Sequence, residues 1–274
     1  MTPSWRPGVT LRHVQSLGAT TVTIGEPTVG ATIPLTLTSP GSVLQAGFVP
    51  TAGMAGCSLR HRGVELLGSR AGPRTELAQR PAMGMLLLYP WANRLRRRRF
   101  PVAGRMVVLD RPSAPVSFDE RGLPIHGLLA GAAGWTVRHH AASGDGAALE
   151  ASFDFGADPR LLAAFPFPHE LDVATSLTAT TLTVVTTVRA SRASPVPVAF
   201  GHRLCFRLPG VARADWRVEL PVAEALALDA RMLPTGRRSA VRVAGGASRC
   251  ASARATAMPT SSPPTTTTSS RSSP

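Results

Sequence analysis

The stretch WTVRHHAASGDGAALEASFDF, residues 135–155, decides the fold class. Apolar and polar residues alternate from Trp135 onward, residues 143–146 read Ser-Gly-Asp-Gly, and the alternation then resumes. Period-two patterns on both sides of a glycine-rich turn are typical of a β-hairpin. The residues of one parity are Trp135, Val137 and His139 before the turn and Leu149, Ala151, Phe153 and Phe155 after it. We therefore expect two antiparallel strands, each with one buried face.

Strand-like sequence continues beyond this hairpin. Residues 171–188 are rich in Thr, Val and Leu, and Trp216, Val218 and Leu220 repeat the alternation. This composition is typical of half-buried strands. Helical periodicity is confined to a short candidate helix at residues 222–228. Together these signals predict an all-β fold, a large antiparallel sandwich.

The chain divides into three parts by composition. Its 274 residues are 43% hydrophobic, which suits one large domain with a core. We expect a partly ordered N-terminal segment over 1–34, the sandwich over 35–236 and a tail over 237–274. Residues 247–274 contain no Leu, Ile, Val or aromatic residue. Such a segment cannot bury enough apolar surface to offset its ordering entropy, so we expect the tail to be disordered.

The net charge of +14 is unevenly distributed along the chain. All 30 basic residues are arginine, and seven of them follow Asp229, after which no acidic residue occurs. The first 229 residues hold the other 23 arginines against 16 acidic residues, a net charge of +7. Arginine in place of lysine throughout indicates a GC-rich coding bias. An arginine-rich nucleic-acid binder would show steep salt dependence, but no recognition helix or aromatic-basic surface is present, so we expect no nucleic-acid partner.

Other features exclude several classes of protein. Cys57, Cys205 and Cys250 are widely spaced and form no Cys-x-x-Cys pair, which predicts no zinc or redox site and a reduced, cytoplasmic setting. The N-terminus lacks an apolar signal core, and prolines interrupt the uncharged stretch 27–59, so we expect neither secretion nor a membrane span. No dinucleotide-binding, phosphate-loop, nucleophile-elbow or metalloprotease motif occurs. We therefore expect no cofactor and no metal.

A series of short motifs lies in order between residues 53 and 236. They are GMAGCSLRHRGVELL (53–67), PWANRL (90–95), PIHG (124–127), FPFPH (165–169), PVAFG (197–201) and LPTG (233–236). In this order they resemble the aldose 1-epimerase family, the galactose mutarotase-like proteins. The resemblance covers roughly residues 35–236 and implies a large β-sandwich of the supersandwich type.

The resemblance implies a sugar mutarotase that needs no cofactor. In the family a histidine protonates the ring oxygen and a glutamate takes the proton of the anomeric hydroxyl, so that the ring opens and recloses as the other anomer. Each such group contributes about 10²–10⁴ in rate. The resemblance places Asn93, Arg94 and His126 at the sugar site. Trp135 is either a core residue or a platform for the apolar face of the sugar, and the expected partner is a small-molecule sugar, free or phosphorylated.

The sequence departs from the family at the acid. The family segment reads approximately Phe-Gly-x-His-Pro-Tyr before Leu-Pro-Gly, whereas residues 200–210 here read FGHRLCFRLPG. Counting from either flank without a gap puts Arg203 at the acid position, with His202 beside it. We take His202 as the candidate catalytic acid, although Arg203 holds the family spacing. Because neighbouring residues on a strand point to opposite faces, His202 can serve as the acid only if a bulge shifts the register. Arginine remains protonated at neutral pH and cannot release a proton.

The family's acidic motif after Leu-Pro-Thr-Gly and its later catalytic glutamate have no counterpart in this sequence. Residues 265–270, TTTTSS, are what codons for Asp-Asp-Asp-Asp-Leu-Phe give when they are read one base late. We therefore expect a family member that is truncated or frameshifted at its C-terminus, with an incomplete sandwich, low solubility and impaired activity. The alternative is a carbohydrate-binding remnant that keeps Asn93, Arg94 and His126 but does no chemistry.

Further basic residues leave alternatives open. The four arginines at 96–99 form either a solvated basic segment or a phosphate clamp for a sugar phosphate. His139 and His140 are adjacent on a predicted strand and point to opposite faces, so we expect no shared metal. We interpret His13, His61 and His169 as structural.

Overall fold

The computed structural model describes residues 11–17, 34–68, 84–110, 112–178, 180–191, 195–215, 224–240 and 254–257. These residues form 18 strands, one α-helix and three short 3-10 helices. The strands are β1 (Leu11–Leu17), β2 (Leu35–Thr38), β3 (Leu44–Val49), β4 (Ala55–His61), β5 (Val64–Glu65), β6 (Met85–Leu88), β7 (Arg99–Val102), β8 (Arg105–Val108), β9 (Ser117–Phe118), β10 (Pro124–Ile125), β11 (Thr136–Ala142), β12 (Gly146–Asp154), β13 (His169–Thr178), β14 (Thr180–Ala190), β15 (Gly201–Leu204), β16 (Glu224–Leu228), β17 (Pro234–Ala240) and β18 (Arg254–Ala257). The helix α1 spans Pro159–Ala164, and the 3-10 helices span Pro50–Ala52, Phe155–Ala157 and Arg213–Asp215.

Two antiparallel sheets of six strands form the body of the protein. The first sheet has the order β11-β12-β13-β14-β1-β18. The second has the order β15-β6-β4-β3-β2, and β5 pairs with β4 beside this path. Three two-stranded ribbons, β7-β8, β9-β10 and β16-β17, are attached to them. The predicted all-β class with antiparallel sheets is confirmed.

The hydrophobic core lies between the two sheets. One continuous cluster joins Leu37, Leu44 and Phe48 of the second sheet to Leu149 and Leu171 of the first. Burial of one face of each sheet against the other is the arrangement of a β-sandwich. A smaller cluster of Ala55, Leu86 and Leu88 covers the opposite, outer face of the second sheet. Strand β6 is therefore buried on both faces.

The predicted hairpin of residues 135–155 forms, but only its second strand follows the predicted alternation. In β12 the predicted positions Leu149, Ala151 and Phe153 are buried, whereas in β11 Val137 is 38% exposed. A bulge between Val137 and His139 breaks the alternation in β11, because an extra residue reverses the faces of those that follow it. Strand β11 is also the outermost strand of its sheet among the described residues, so it has a neighbour on one side only.

The predicted helix at residues 222–228 is wrong where the structure describes it. Residues 224–228 form strand β16, which pairs with β17. The Asp229 carboxylate accepts hydrogen bonds from the N–H groups of Arg231 and Leu233, both at 2.9 Å. This side-chain turn closes a hairpin, and its pairing overrides the weak helical preference of the Ala-Leu sequence. The strand predicted around Trp216 lies outside the described residues.

The three-part division of the chain stays a prediction. Strand β1 lies within the segment 1–34, while β18 and the end of β17 lie within the segment 237–274. The other residues of the predicted tail are outside the described part. Within that part, no helix is long and apolar enough to cross a membrane.

Candidate functional site

Two loops that carry predicted site residues meet at the backbone of Tyr89. The Tyr89 carbonyl accepts hydrogen bonds from the N–H groups of Leu128, at 2.6 Å, and Leu129, at 3.3 Å. Gly127 has a φ of +75°, and a Cβ atom there would lie 2.1 Å from the Tyr89 carbonyl oxygen. Only glycine allows this approach, so Gly127 fixes the loop that precedes Leu128 against the segment that follows β6.

Two further backbone hydrogen bonds join the same two loops near Asn93, four residues after Tyr89. The N–H of His126 donates to the Asn93 carbonyl, and the N–H of Leu95 donates to the Pro124 carbonyl, both at 2.9 Å. Asn93 and His126 both have left-handed backbone conformations, with φ values of 58° and 66°. Asparagine and histidine both adopt this region more often than most other residues. These bonds place Asn93, Arg94 and His126, predicted from separate motifs, in one location.

The Arg94 side chain is fixed by the carboxylate of Asp119, which belongs to none of the motifs quoted above. Its Nε donates to Oδ2 of Asp119 at 2.6 Å, and its Nη1 donates to Oδ1 of Asn93 at 3.3 Å. Asp119 also accepts from the N–H groups of Arg121 and Leu123. The hydrogen bond from Arg94 and then that from Leu123 lower the pKa of Asp119. Asp119 is therefore ionised at neutral pH and orients the Arg94 guanidinium.

Arg203 completes the group from strand β15. Its Nη1 lies 3.0 Å from Nε2 of His126. Because arginine can only donate, His126 accepts at Nε2 and carries its hydrogen at Nδ1. Burial, the charge of Arg203 and the charge of Arg94 lower the pKa of His126 to about 4. His126 is therefore a neutral imidazole at physiological pH.

His202, the other candidate for the family's acid, lies on the opposite face of β15. Pairing of β15 with β6 is continuous, with His202 opposite Leu87 and Arg203 opposite Leu86, so no bulge changes the register. His202 lines an apolar cavity of about 20 Å³ inside the sandwich. The other residues around this cavity are Phe48, Met54, Met85, Leu87, Val173, Leu182, Val184 and Leu204. The structure thus brings Arg203, and not His202, to His126.

Trp135 is placed in the core. It is 7% exposed, belongs to the cluster between the sheets, and packs on Phe153 with ring centroids 5.3 Å apart. Of the two sequence interpretations, this geometry matches the core residue. The other predicted binding residues, Asn93, Arg94 and His126, are connected to one another by hydrogen bonds or backbone pairing. The ring of Trp135 instead packs on Phe153.

A buried histidine holds the Tyr89 side chain from the other sheet. The Tyr89 hydroxyl and Nε2 of His169 are 2.7 Å apart, and Nδ1 of His169 lies 2.5 Å from the Phe167 carbonyl. The carbonyl can only accept, so Nδ1 carries the hydrogen and the tyrosine donates to Nε2. His169 is stacked on Phe155 at 4.4 Å between centroids, and burial lowers its pKa to about 4. The interpretation of His169 as a structural residue matches this environment, and the bond links the core to the loops of the site.

The site consists mainly of hydrogen-bond donors. Asn93, Arg94 and Arg203 all present N–H groups, and Nδ1 of His126 is buried without a hydrogen-bond partner among the described residues. Among the described residues, the carboxylate that binds this group of four side chains is Asp119. It already accepts three hydrogen bonds. Its signal in the sequence is the turn Asp-Glu-Arg-Gly-Leu, in which an aspartate caps the following N–H groups. No group of three or more His, Cys, Asp or Glu residues suited to a metal occurs among the described residues.

Solved structures with the same fold come from the galactose mutarotase-like proteins. A galactose mutarotase-like protein of Clostridium acetobutylicum superposes with a TM-score of 0.61 and 20% identity, over 75% of this chain and 61% of that one. The galactose 1-epimerase of Lactobacillus acidophilus NCFM gives a TM-score of 0.59 and 14% identity, over 81% and 63% of the two chains. A galactose mutarotase-like protein of Lactobacillus casei gives 0.56 and 16%, over 78% and 65%. The chain thus spans less than two thirds of the length of these structures, and at such identities the likeness shows the fold.

Comparison of the sequence with protein families identifies the family of this chain. No curated protein matches the sequence significantly. The sequence model of the family described as "Aldose 1-epimerase" matches residues 66–248, about two thirds of the chain. The matched range contains Asn93, Arg94, His126 and Arg203 as well as the loops that bring them together. This chain therefore belongs to the aldose 1-epimerase family, a family of isomerases.

Proposed function

We propose that this chain binds an aldohexose or hexose phosphate at Asn93, Arg94, His126 and Arg203, and that it interconverts the α and β anomers slowly by ring opening. The observation that carries the proposal is the convergence of these four side chains from three separate segments. Membership of the aldose 1-epimerase family supplies the reaction class. No cofactor is required, because the reaction needs only proton transfer to and from the sugar.

Arg94 and Asn93 serve to hold the sugar in this proposal. The carboxylate of Asp119 orients the guanidinium of Arg94, which leaves the outer N–H groups of its fork for sugar oxygens. The amide of Asn93 adds a donor and an acceptor beside them. When these residues orient the sugar hydroxyls, the sugar loses its rotational freedom on binding, and this loss no longer adds to the barrier of ring opening.

Arg203 and His126 act on the reacting atoms. A guanidinium N–H can donate a hydrogen bond to the ring oxygen and polarise it, but it does not release a proton at neutral pH. His126 is neutral, so it can accept the proton of the anomeric hydroxyl once the sugar replaces Arg203 at Nε2. As the bond between the anomeric carbon and the ring oxygen breaks, the ring oxygen takes its proton from water, and His126 returns its own proton when the ring closes as the other anomer. With a pKa of about 4, His126 is a weak base. We therefore expect acceleration reduced by about 10²–10⁴ relative to a site that has both a proton-releasing acid and a carboxylate base.

A second function, sugar binding without catalysis, is favoured by one specific observation. Asp119, the carboxylate bound to this group in the described part of the chain, is committed to Arg94 and to two backbone N–H groups. A site of donors with no available carboxylate can bind hydroxyls and still fail to move a proton. This alternative keeps the same residues and removes only the chemistry.

Polarimetry on freshly dissolved α-glucose and α-galactose distinguishes the two functions. We expect mutarotation faster than the spontaneous rate at equal buffer and pH, and its loss in the variant His126→Gln. The matched control is His139→Gln, which changes an exposed histidine on the edge strand β11 and should retain the rate. A spontaneous rate together with saturation transfer from protein to sugar would establish binding alone, and the absence of both signals would overturn the proposal.

A further inference from the structure

Tyr89 contacts both segments that supply the partners of the hydrogen bond between Arg203 and His126. Its carbonyl accepts two hydrogen bonds from the loop that follows His126. Its ring lies 5.4 Å, between centroids, from the ring of Phe200, which directly precedes strand β15 and therefore leads to Arg203. The position of Tyr89 thus influences both sides of this hydrogen bond.

The backbone after Tyr89 is also paired with the segment that leads to β15. The N–H of Ala92 donates to the Ala199 carbonyl at 2.9 Å, and the N–H of Ala199 donates to the Pro90 carbonyl at 2.8 Å. Backbone hydrogen bonds of this kind leave little freedom between the two segments. A displacement of Tyr89 would therefore move the start of β15 as well as the loop of His126.

The side chain of Tyr89 is held from the first sheet by His169. The tyrosine hydroxyl donates to Nε2 of His169 over 2.7 Å. His169 is fully buried, begins strand β13 and is stacked on Phe155 at 4.4 Å between centroids. Its Nδ1 donates to the Phe167 carbonyl. Both ring nitrogens are therefore used, and the imidazole is fixed in the orientation in which it accepts from Tyr89.

A hydrogen-bonded pair in this part of the core provides direction more than stability. The rings of Phe155 and Phe165 lie against the imidazole, so the surroundings of His169 are apolar. Burial of two polar groups costs free energy that their hydrogen bond offsets, whereas two apolar rings of the same shape can be equally stable. Unlike contacts between apolar rings, the bond fixes the direction in which the Tyr89 side chain points.

We infer that His169 is a positioning residue of the site. Through the Tyr89 hydroxyl it holds the loop of His126 and the start of β15 at the separation that lets Arg203 donate to His126. His169 lies inside the sandwich and acts only through Tyr89. The inference rests on the proposed function only in its expected effect on sugar binding.

The NMR signals of the His126 imidazole test this role on the full chain without any ligand. The signals that disappear in His126→Gln identify this ring, and its nitrogen shifts report the hydrogen at Nδ1 and the hydrogen bond accepted at Nε2. Tyr89→Phe and His169→Phe should each change these shifts, because the loop and β15 are no longer held at one separation. His169→Gln should retain them, since the side-chain oxygen of glutamine can accept from the Tyr89 hydroxyl in place of Nε2.

A control variant separates positioning from a general loss of stability. Leu177→Ala changes a fully buried residue near the opposite end of β13 from His169. It should destabilise the fold at least as much as Tyr89→Phe does, and it should leave the His126 shifts unchanged. Changes in Leu177→Ala as large as those in Tyr89→Phe would overturn the inference. So would a change in His169→Gln as large as that in His169→Phe, because the hydrogen bond would then not be the cause.

Isothermal titration of the same variants with glucose and galactose separates this inference from the proposed function. Tyr89→Phe and His169→Phe should weaken the binding of the sugar that the parent chain binds by about five-fold, and Leu177→Ala should not. An unchanged affinity in Tyr89→Phe and His169→Phe would overturn the inference and leave the proposed function intact. Binding of neither sugar by the parent chain would overturn the proposed function, and the His126 shifts alone would then decide the inference.

Discussion

Strands β6 and β15 form one edge of the second sheet, and different interactions hold the side chains on its two faces. On the inner face, Leu87 and the cavity beside His202 belong to an apolar interior, where shape and burial decide which residues fit. On the outer face, Arg203 meets His126 through a directed hydrogen bond. Residues 202 and 203 are neighbours in the chain and belong to different environments. Side-chain substitutions on the inner face should therefore change stability first, whereas side-chain substitutions at Arg203 and His126 on the outer face should change ligand binding first.

The largest effect should come from the backbone contact that builds the outer face. Gly127→Ala places a Cβ atom 2.1 Å from the Tyr89 carbonyl oxygen at a φ of +75°, so the two loops must separate. We expect a loss of more than about 4 kcal/mol in the free energy of unfolding, measured by urea denaturation. Gly104→Ala is the matched control, because it has a φ of +73° and no atom within 4 Å; it should cost about 1 kcal/mol. Equal losses would contradict the role of the close approach.

The next effect concerns acid pH and the inner face. Burial lowers the pKa of His169 to about 4, while an unfolded histidine titrates near 6.5. The unfolded chain therefore binds a proton that the folded chain does not, and the free energy of unfolding should fall as the pH drops from 6.5 towards 4. For His169 the loss is up to about 3 kcal/mol. His126, whose pKa is lowered to about 4 by burial and by the charges of Arg203 and Arg94, acts in the same direction.

Urea denaturation between pH 4 and pH 7.5 measures this dependence. His169→Gln should unfold with a flatter dependence on pH, whatever its stability at pH 7.5. The exposed His139→Gln on β11 should retain the dependence of the parent chain. An identical slope in the parent and in His169→Gln would show that His169 does not titrate as a buried neutral group.

A smaller effect should come from the buried hydroxyl of Tyr89, which joins the loops of the site to the other sheet. Tyr89→Phe removes the donor to Nε2 of His169 and leaves a buried acceptor without a partner, which should cost about 1–3 kcal/mol. The double variant Tyr89→Phe with His169→Phe should cost less than the sum of the two single variants, because both bonded groups are then absent. Additive losses in the double-mutant cycle would contradict a direct hydrogen bond.

The sequence predicts more of the fold than of the site. Alternation at Leu149, Ala151 and Phe153 identified a strand correctly, because both neighbouring strands hold β12 in a regular sheet. The same rule failed at Val137, where a bulge and an edge position remove the constraint. The predicted helix at 222–228 was wrong over the described residues 224–228, because cross-strand pairing and the turn at Asp229 outweigh local preference. Bulges and long-range pairings of this kind leave little trace in the local sequence.

Only part of the site could be predicted from the sequence, because several of its contacts join residues that are far apart in the chain. The candidate acid predicted from the sequence was His202, while gap-free counting put Arg203 at the family's acid position. The continuous register of β15 places Arg203, and not His202, beside His126. The role of Asp119 in orienting Arg94 depends on a contact between residues 25 positions apart. The link from Tyr89 to His169 spans 80 positions. Contacts of this length follow from the fold and not from a motif.

The most direct test of the proposed site is an NMR titration of the imidazole signals of His126 and His202 with glucose, galactose and glucose 6-phosphate. Assignment by His126→Gln and His202→Gln separates the two signals. We predict that the His126 signals shift in a saturable manner, that the His202 signals stay unchanged, and that Arg203→Gln weakens the response at His126. A saturable shift at His202 with none at His126 would place the ligand in the interior of the sandwich and contradict a site on the outer face.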